Sequence, residues 1–212
     1  MLKNAASAIY QSDKYKNRGE FGELILHVVI REIYNTIPAI SKIYYKDGPN
    51  DTVKGFDAVH IVNKENGLEL WLGEVKFYKE INQAINDVVT EIFEHIKRDY
   101  LRNEFIAIKN KIDKKWPHAE KLEMLLDPNT SLDAVFNQAC IPVLLTYDSS
   151  VLAKYEESSA EYLVEITAEF NKLYERFVDK ISDKVPLTVH LFLLPLKTKD
   201  ELTMCFDKKL KQ

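Results

Sequence analysis

The chain has 212 residues, of which 46% are hydrophobic and 29% charged, and its formal net charge at pH 7 is −4. These values exclude a disordered chain and a strongly basic nucleic-acid-binding protein, although a local basic surface is compatible with them. No apolar run reaches the length of a membrane span, so we expect no contact with a membrane. Cys140 and Cys205 lie far apart in apolar stretches, which predicts reduced thiols and a cytoplasmic protein.

The first predicted element is a helix from about 19 to 35 that is apolar around most of its circumference. Four ionisable residues share one stripe of this helix: Glu20, Glu23, His27 and Arg31. A stripe of this kind is either exposed to solvent or forms one wall of a site. For His27 the two interpretations are a core histidine with satisfied hydrogen bonds and a residue that lines a site or contacts phosphate.

A β-hairpin is predicted after this helix. Pro38 is expected to end the helical region, and a strand is predicted at about 39–45. Residues 53–62 and 68–77 are rich in apolar and β-branched side chains, and the intervening 63–67 have the composition of a turn. The two apolar stretches are therefore predicted to pair as antiparallel strands.

The hairpin carries three charged residues to one place. Because strand side chains alternate, Glu74 and Lys76 point to the same face. A turn centred near Glu65 puts Asp57 close to Glu74 on the neighbouring strand. Two carboxylates at that separation repel each other unless one is protonated or a cation lies between them, so we infer a divalent cation. The alternative is an ordinary ion-pair cluster at the end of a strand.

The rest of the chain alternates helices and strands. A helix at about 79–99 continues or restarts to residue 112. The pattern is weaker at 113–139, where short helices are predicted at about 119–126 and 132–138, and the region at about 100–139 is interpreted as a helical insertion. Strands at about 141–147 and 185–196 and helices at about 160–181 and 199–210 complete the prediction. Together these elements predict a single α/β domain over residues 1–212, with one mixed sheet flanked by helices.

This order of elements resembles the PD-(D/E)xK nuclease superfamily, which has the restriction-endonuclease-like fold. The residues that carry the resemblance are Asp57, the triplet Glu74-Val75-Lys76 and a glutamate on the preceding helix. The triplet alone is a common pattern. Its position at the end of an apolar strand, after a hairpin partner with an aspartate and before an amphipathic helix, is what makes it informative.

Four stretches resemble a more specific group, the HamA effector family of the Hachiman antiphage system. They are GEFGE at 19–23, GFD at 55–57, GEVKFY at 73–78 and IPVLLTYDS at 141–149. The resemblance implies a metal-dependent DNase that works with a partner helicase, HamB, and degrades DNA when infection is sensed. DNA and a HamB-type helicase are therefore the expected partners, although the sequence does not itself show them.

The resemblance also implies a metal centre. Hydrolysis of a phosphodiester adds negative charge at the phosphate, which carboxylates stabilise only by holding Mg²⁺, or a similar ion such as Mn²⁺. Asp57, Glu74 and the carbonyl of Val75 would bind this ion, and Glu20 or Glu23 would complete the set. Glu20 is preferred because glycines at 19 and 22 permit close approach at the start of the helix.

Two further roles follow. Lys76 would orient or deprotonate the attacking water and offset charge at the scissile phosphate. Gln83, in the first turn after the strand, would contact the substrate, unless it is simply an exposed glutamine.

Three hypotheses about function stay open at this point. The first is the Mg²⁺-dependent DNase effector of an antiphage complex. The second is a restriction or repair nuclease of the same fold, and the third is a non-catalytic interaction module that keeps a relic of the site.

Overall fold

A computed structural model of the chain describes residues 19–41, 55–65, 67–181 and 185–210. Its centre is a five-stranded sheet made of β1 (Ile37–Ser41), β2 (Ala58–Lys64), β3 (Gly67–Phe77), β4 (Ala139–Asp148) and β5 (Thr188–Leu196), in that spatial order. The pairs β1–β2 and β2–β3 are antiparallel, whereas the pairs β3–β4 and β4–β5 are parallel. The predicted mixed sheet flanked by helices is therefore confirmed.

Eight helices lie in the described part of the chain. They are α1 (Gly19–Tyr34), α2 (Ile81–His95), α3 (Arg98–Lys111), α4 (Ala119–Leu125), α5 (Leu132–Phe136), α6 (Ser150–Lys154), α7 (Ala160–Ile181) and α8 (Lys199–Leu210). Helices α1, α7 and α8 match their predicted bounds to within one residue. The short helix α6 was not predicted. Within the described ranges, every helix falls short of the length and apolarity that a membrane span requires.

Several predicted bounds differ from the structure: α2 ends at His95 instead of about residue 99, and β5 begins at Thr188 instead of about residue 185. Two further errors fall in and before the hairpin. Pro38 lies inside β1, where it pairs with His60, instead of preceding the strand. Because β1 is an edge of the described sheet, its proline has no need to donate to a further strand. The other error concerns β2, which begins at Ala58 and not near Val53, since Gly55 has a φ of 121° that turns the chain just before the strand. Residues 42–54, which include the rest of the first predicted strand, lie outside the described residues.

The hairpin has the predicted register. Ala58 pairs with Gly73, and Lys64 pairs with Gly67. One residue before Ala58, the amide of Asp57 donates to the carbonyl of Gly73 over 2.8 Å, so the ladder extends to this aspartate. Continuing the same register places Asp57 opposite Glu74.

The two faces of the sheet bury different helices. Alternate residues of β3, among them Leu70 and Leu72, belong to a large core built with α2, α3 and α7. The intervening residues Trp71 and Val75 pack on the other face, against apolar side chains of α1. Glu74 and Lys76 lie on the same face of β3 as Leu70 and Leu72, so their side chains project toward α2 and away from α1.

Gly22 lets α1 lie close against the sheet. A Cβ atom added to Gly22 would come within 2.5 Å of Val75 Cγ1 and 3.0 Å of Phe77 Cβ, which is closer than packed atoms approach. At Gly19, by contrast, an added Cβ would have nothing within 4 Å. The close approach expected at these glycines is therefore present at Gly22 only.

We expect Gly22→Ala to lower the free energy of unfolding by about 1 to 3 kcal/mol, because the added methyl group must displace Val75 or the helix itself. Gly19→Ala is the matched control, and we expect it to change the free energy by less than about 1 kcal/mol. Urea denaturation of both variants measures the difference. Equal effects at the two positions would contradict the packing described.

Candidate functional site

A cleft of about 1020 Å³ opens where α1, the end of β3, the start of α2 and helix α8 meet. Five of the predicted site residues line it: Glu23, Asp57, Val75, Lys76 and Gln83. Helix α8 contributes Lys199, Asp200 and Asp207 to the opposite wall. The walls of the cleft thus include both acidic residues and lysines. These residues come from helices near both ends of the described chain.

Asp57 is held against the middle of the Glu74-Val75-Lys76 triplet. Its Oδ2 accepts a hydrogen bond from the amide of Val75 over 2.9 Å. Because that amide lies between the other two members of the triplet, all three charged residues stand at the same end of the hairpin. The turn at Gly55, whose backbone passes close to the Glu104 carboxylate, delivers Asp57 to this position.

Glu74 is almost fully buried, with 1% of its surface exposed. Its Oε1 is hydrogen-bonded to Nδ1 of His95, the last residue of α2. Burial raises the pKa of Glu74 to about 7; the hydrogen bond from His95 opposes this rise, and the charge of Asp57 adds to it. The carboxyl group of Glu74 does not itself line the cleft.

Lys76 is also buried, and it is paired. Its Nζ donates to Oε2 of Glu91, one helical turn before His95 on α2. A buried ammonium group needs such a partner because desolvation of an isolated charge is costly. Unlike Glu74, Lys76 lines the cleft.

The imidazole of His95 is packed between two aromatic rings. Tyr100 of α3 stacks on it at a centroid distance of 4.3 Å, and Phe56 meets it edge-on at 5.1 Å. Burial lowers the pKa of His95, but the hydrogen bond and charge of Glu74 outweigh burial, so the net shift of the pKa is upward. The ring is therefore fixed in orientation, and it connects the segment before Asp57 with Glu74.

His27 lies away from the cleft. Its Nδ1 is 2.5 Å from Nε2 of His60, and Nδ1 of His60 is 2.7 Å from the Thr36 hydroxyl. Desolvation lowers the pKa of His27 to about 4 and that of His60 to about 3. Both rings are neutral at pH 7, and the arrangement is that of hydrogen-bonded histidines inside the fold.

The two helical glutamates differ in position. Glu23 lines the cleft, whereas Glu20 does not. They are separated by nearly one turn of α1, and the start of this helix is held on β3 at Gly22. The preference for Glu20 as a metal ligand stays a prediction, and the shape of the cleft favours Glu23 instead.

A comparison with known families identifies the chain. The model of one family, HamA, matches residues 1–210. The chain belongs to the HamA family. This result confirms the family that the four sequence motifs indicated.

A curated relative of this HamA-family chain is the anti-bacteriophage protein A of Escherichia coli (strain K12). The two are 24% identical over 199 residues, which make up 90% of this chain. The chain spans about a third of the relative's own length, since the same alignment covers 36% of that protein.

The oxygen donors at this end of the hairpin are of the type that hard divalent cations prefer. Asp57 and Glu74 supply carboxylate oxygens, and their proximity is one cause of the raised pKa of Glu74. Across the described ranges, no three side chains of His, Cys, Asp or Glu are grouped so as to hold a metal ion. Mg²⁺ is compatible with such a partial set, because it typically takes one or two carboxylates and completes its shell with water and substrate oxygens.

Sequence reasoning missed the contribution of α2. Glu91 and His95 fall at helical spacing with Ala84 and Val88, in line with the buried stripe of this helix. Ionisable residues on an otherwise apolar stripe were an available signal, because such groups need buried partners. No sequence pattern indicated that α8 lines the cleft, because this depends on how elements distant in sequence pack together.

The raised pKa of Glu74 predicts a pH dependence of stability. The carboxyl group binds its proton more tightly in the folded than in the unfolded protein, so its contribution to stability is present below its ordinary pKa of 4.5 and is lost as the pH rises through about 7. Without metal, the stability of the wild type relative to Glu74→Gln should fall by about 1 to 3 kcal/mol between pH 5 and pH 8. Urea denaturation in EDTA measures this difference.

The exposed Glu94 of the same helix provides the control, because Glu94→Gln removes a carboxyl group without removing Glu74 and should keep the fall in stability between pH 5 and pH 8. Parallel pH profiles for the wild type and Glu74→Gln would show that the Glu74 carboxyl has no raised pKa.

Proposed function

We propose that this chain is a Mg²⁺-dependent DNase that acts as an effector in antiphage defence. The observation that carries the proposal is the meeting of Asp57, Glu74 and Lys76 at one end of the hairpin, beside a cleft. Two carboxylates and a lysine in this order are the set that the PD-(D/E)xK resemblance implies for phosphodiester hydrolysis. Membership of the HamA family supports the same reaction.

The metal ion would be held by Asp57 and Glu74, with Val75 and either Glu20 or Glu23 as further candidates. When bound, Mg²⁺ supplies positive charge that stabilises the negative charge developing at the phosphate. Mn²⁺ would serve in the same way, because it also prefers oxygen ligands.

Lys76 is the residue of this set that acts directly on the reacting groups. Lys76 lines the cleft, and its ammonium group is held by Glu91. From this position it would orient the attacking water and offset charge on the scissile phosphate. Gln83, also on the cleft wall, would hydrogen-bond the substrate backbone.

The proposed setting is a defence complex in the cytoplasm. The curated relative is named an anti-bacteriophage protein, and the resemblance to Hachiman effectors implies a HamB-type helicase as partner. DNA is the proposed substrate. With a net charge of −4, the chain has little general attraction to DNA, which is consistent with delivery of the substrate by a partner.

The proposal predicts DNA degradation that requires Mg²⁺ and is lost when Glu74 or Lys76 is replaced. We expect Glu74→Gln and Lys76→Met each to lower the rate by about 100-fold or more. Glu74→Gln removes a proposed ligand of the metal ion, and Lys76→Met removes the ammonium group that offsets charge at the phosphate. Gel assays on single- and double-stranded DNA, with Mg²⁺ or EDTA, measure the rate for the chain alone and with a candidate helicase. Glu94→Gln is the matched control and should keep wild-type activity.

One observation favours a second candidate, a non-catalytic interaction module. The Glu74 carboxylate is buried against His95, and the described residues contain no complete ligand cage. If neither Mg²⁺ nor Mn²⁺ raises the melting temperature and no DNA is degraded with or without a helicase, this alternative is correct and the proposed DNase is not.

A further inference from the structure

Two side chains of α2 are matched in spacing to two side chains of β3. Glu74 and Lys76 are two residues apart on the strand, a separation of about 6.7 Å. Their partners His95 and Glu91 are four residues apart on the helix, a rise of about 6 Å on one face. The order is reversed, with the later helical residue meeting the earlier strand residue, so α2 runs antiparallel to β3 at this point.

Polar side chains at a helix–sheet interface lose contact with water, which costs free energy. Core helices usually fill such positions with apolar side chains, and neighbours of these two residues do so at Ala84, Val88 and Ile92. His95 is mostly buried, whereas the Glu91 side chain is 43% exposed at the edge of this interface, and each of them meets a buried polar group of β3. The charges on β3 and the polar groups on α2 therefore form one unit.

We propose that His95 and Glu91 are positioning residues, which set the orientation of the Glu74 carboxylate and of the Lys76 ammonium group at the cleft. The inference rests on the proposed function and adds to it the parts of the site that lie on α2. His95 binds one oxygen of Glu74, Oε1, in the way that outer partners hold the carboxylate ligands of metal ions. Glu91 holds the end of a long side chain that has many alternative rotamers.

The His95 contact has its own support. Tyr100 and Phe56 contact the ring on two sides, which fixes the direction in which Nδ1 donates. Phe56 directly precedes Asp57, so the same ring is packed against the segment that carries the other carboxylate. The position of His95 thereby influences the separation of the two proposed metal ligands.

Paired substitutions at His95 test this role without relying on cleavage. In His95→Asn the side-chain amide can replace Nδ1 as the donor, whereas His95→Leu has similar bulk and no donor. Isothermal titration of the whole chain with Mg²⁺, without DNA, measures the affinity. We expect His95→Leu to weaken Mg²⁺ binding by about 10- to 100-fold and His95→Asn to restore most of it.

Substitutions at Glu91 should affect the cleavage rate and not the Mg²⁺ affinity, because the partner of Glu91 is Lys76 and not a proposed metal ligand. Glu91→Leu should leave the Mg²⁺ affinity within about twofold of wild type and slow single-turnover DNA cleavage by about tenfold. Glu91→Gln, which still accepts a hydrogen bond from Lys76, should lose less. Glu94→Gln, on the exposed side of the same helix, should change neither quantity.

The outcomes separate the inference from the proposed function. Absence of Mg²⁺ binding and DNA cleavage in the wild type would overturn both. Wild-type binding and cleavage, with equal Mg²⁺ affinities in His95→Leu and His95→Asn, would overturn only the role of His95. Melting temperatures without metal identify variants that have lost their fold. If the leucine variants have lost it, the conservative variants decide the matter. A Mg²⁺ affinity of His95→Asn and a cleavage rate of Glu91→Gln within about threefold of wild type support positioning, and a tenfold or greater loss in either contradicts it.

Discussion

Burial of opposite charges on one face of β3 is the constraint on which this structure depends. Glu74 and Lys76 share a face with leucines of the main core, where an unpaired charge would strongly destabilise the fold. Each therefore requires a partner, and α2 supplies both. Asp57 is tied to the backbone between them, so the hairpin and the helix are held together at the point where the cleft begins. The requirements of stability and of the proposed chemistry are met by the same contacts.

The hairpin part of the site could be predicted because it is local. Alternation along a strand puts Glu74 and Lys76 on one face, and the turn between the strands sets which residue faces them. The partners could not be predicted in the same way, because the contact of α2 with β3 depends on how a helix docks on a sheet. Strand ends were also uncertain, since Gly55 turns the chain before β2 and an edge strand accommodates Pro38. The family was recognised from short motifs, while the sharing of the cleft between α1 and α8 follows only from tertiary packing.

The two helices at the cleft are joined by an aromatic contact, in which Phe21 of α1 stacks on Phe206 of α8 at a centroid distance of 4.9 Å. The cleft thus has one wall from near the start of the described chain and another from near its end. Contacts between residues so distant in sequence form after local ones, because a long loop must close first. During synthesis the cleft therefore lacks its second wall until α8 has left the ribosome and packed against α1. The wall contributed by α8 is therefore the last part of the cleft to form, after the hairpin has already brought its acidic residues together.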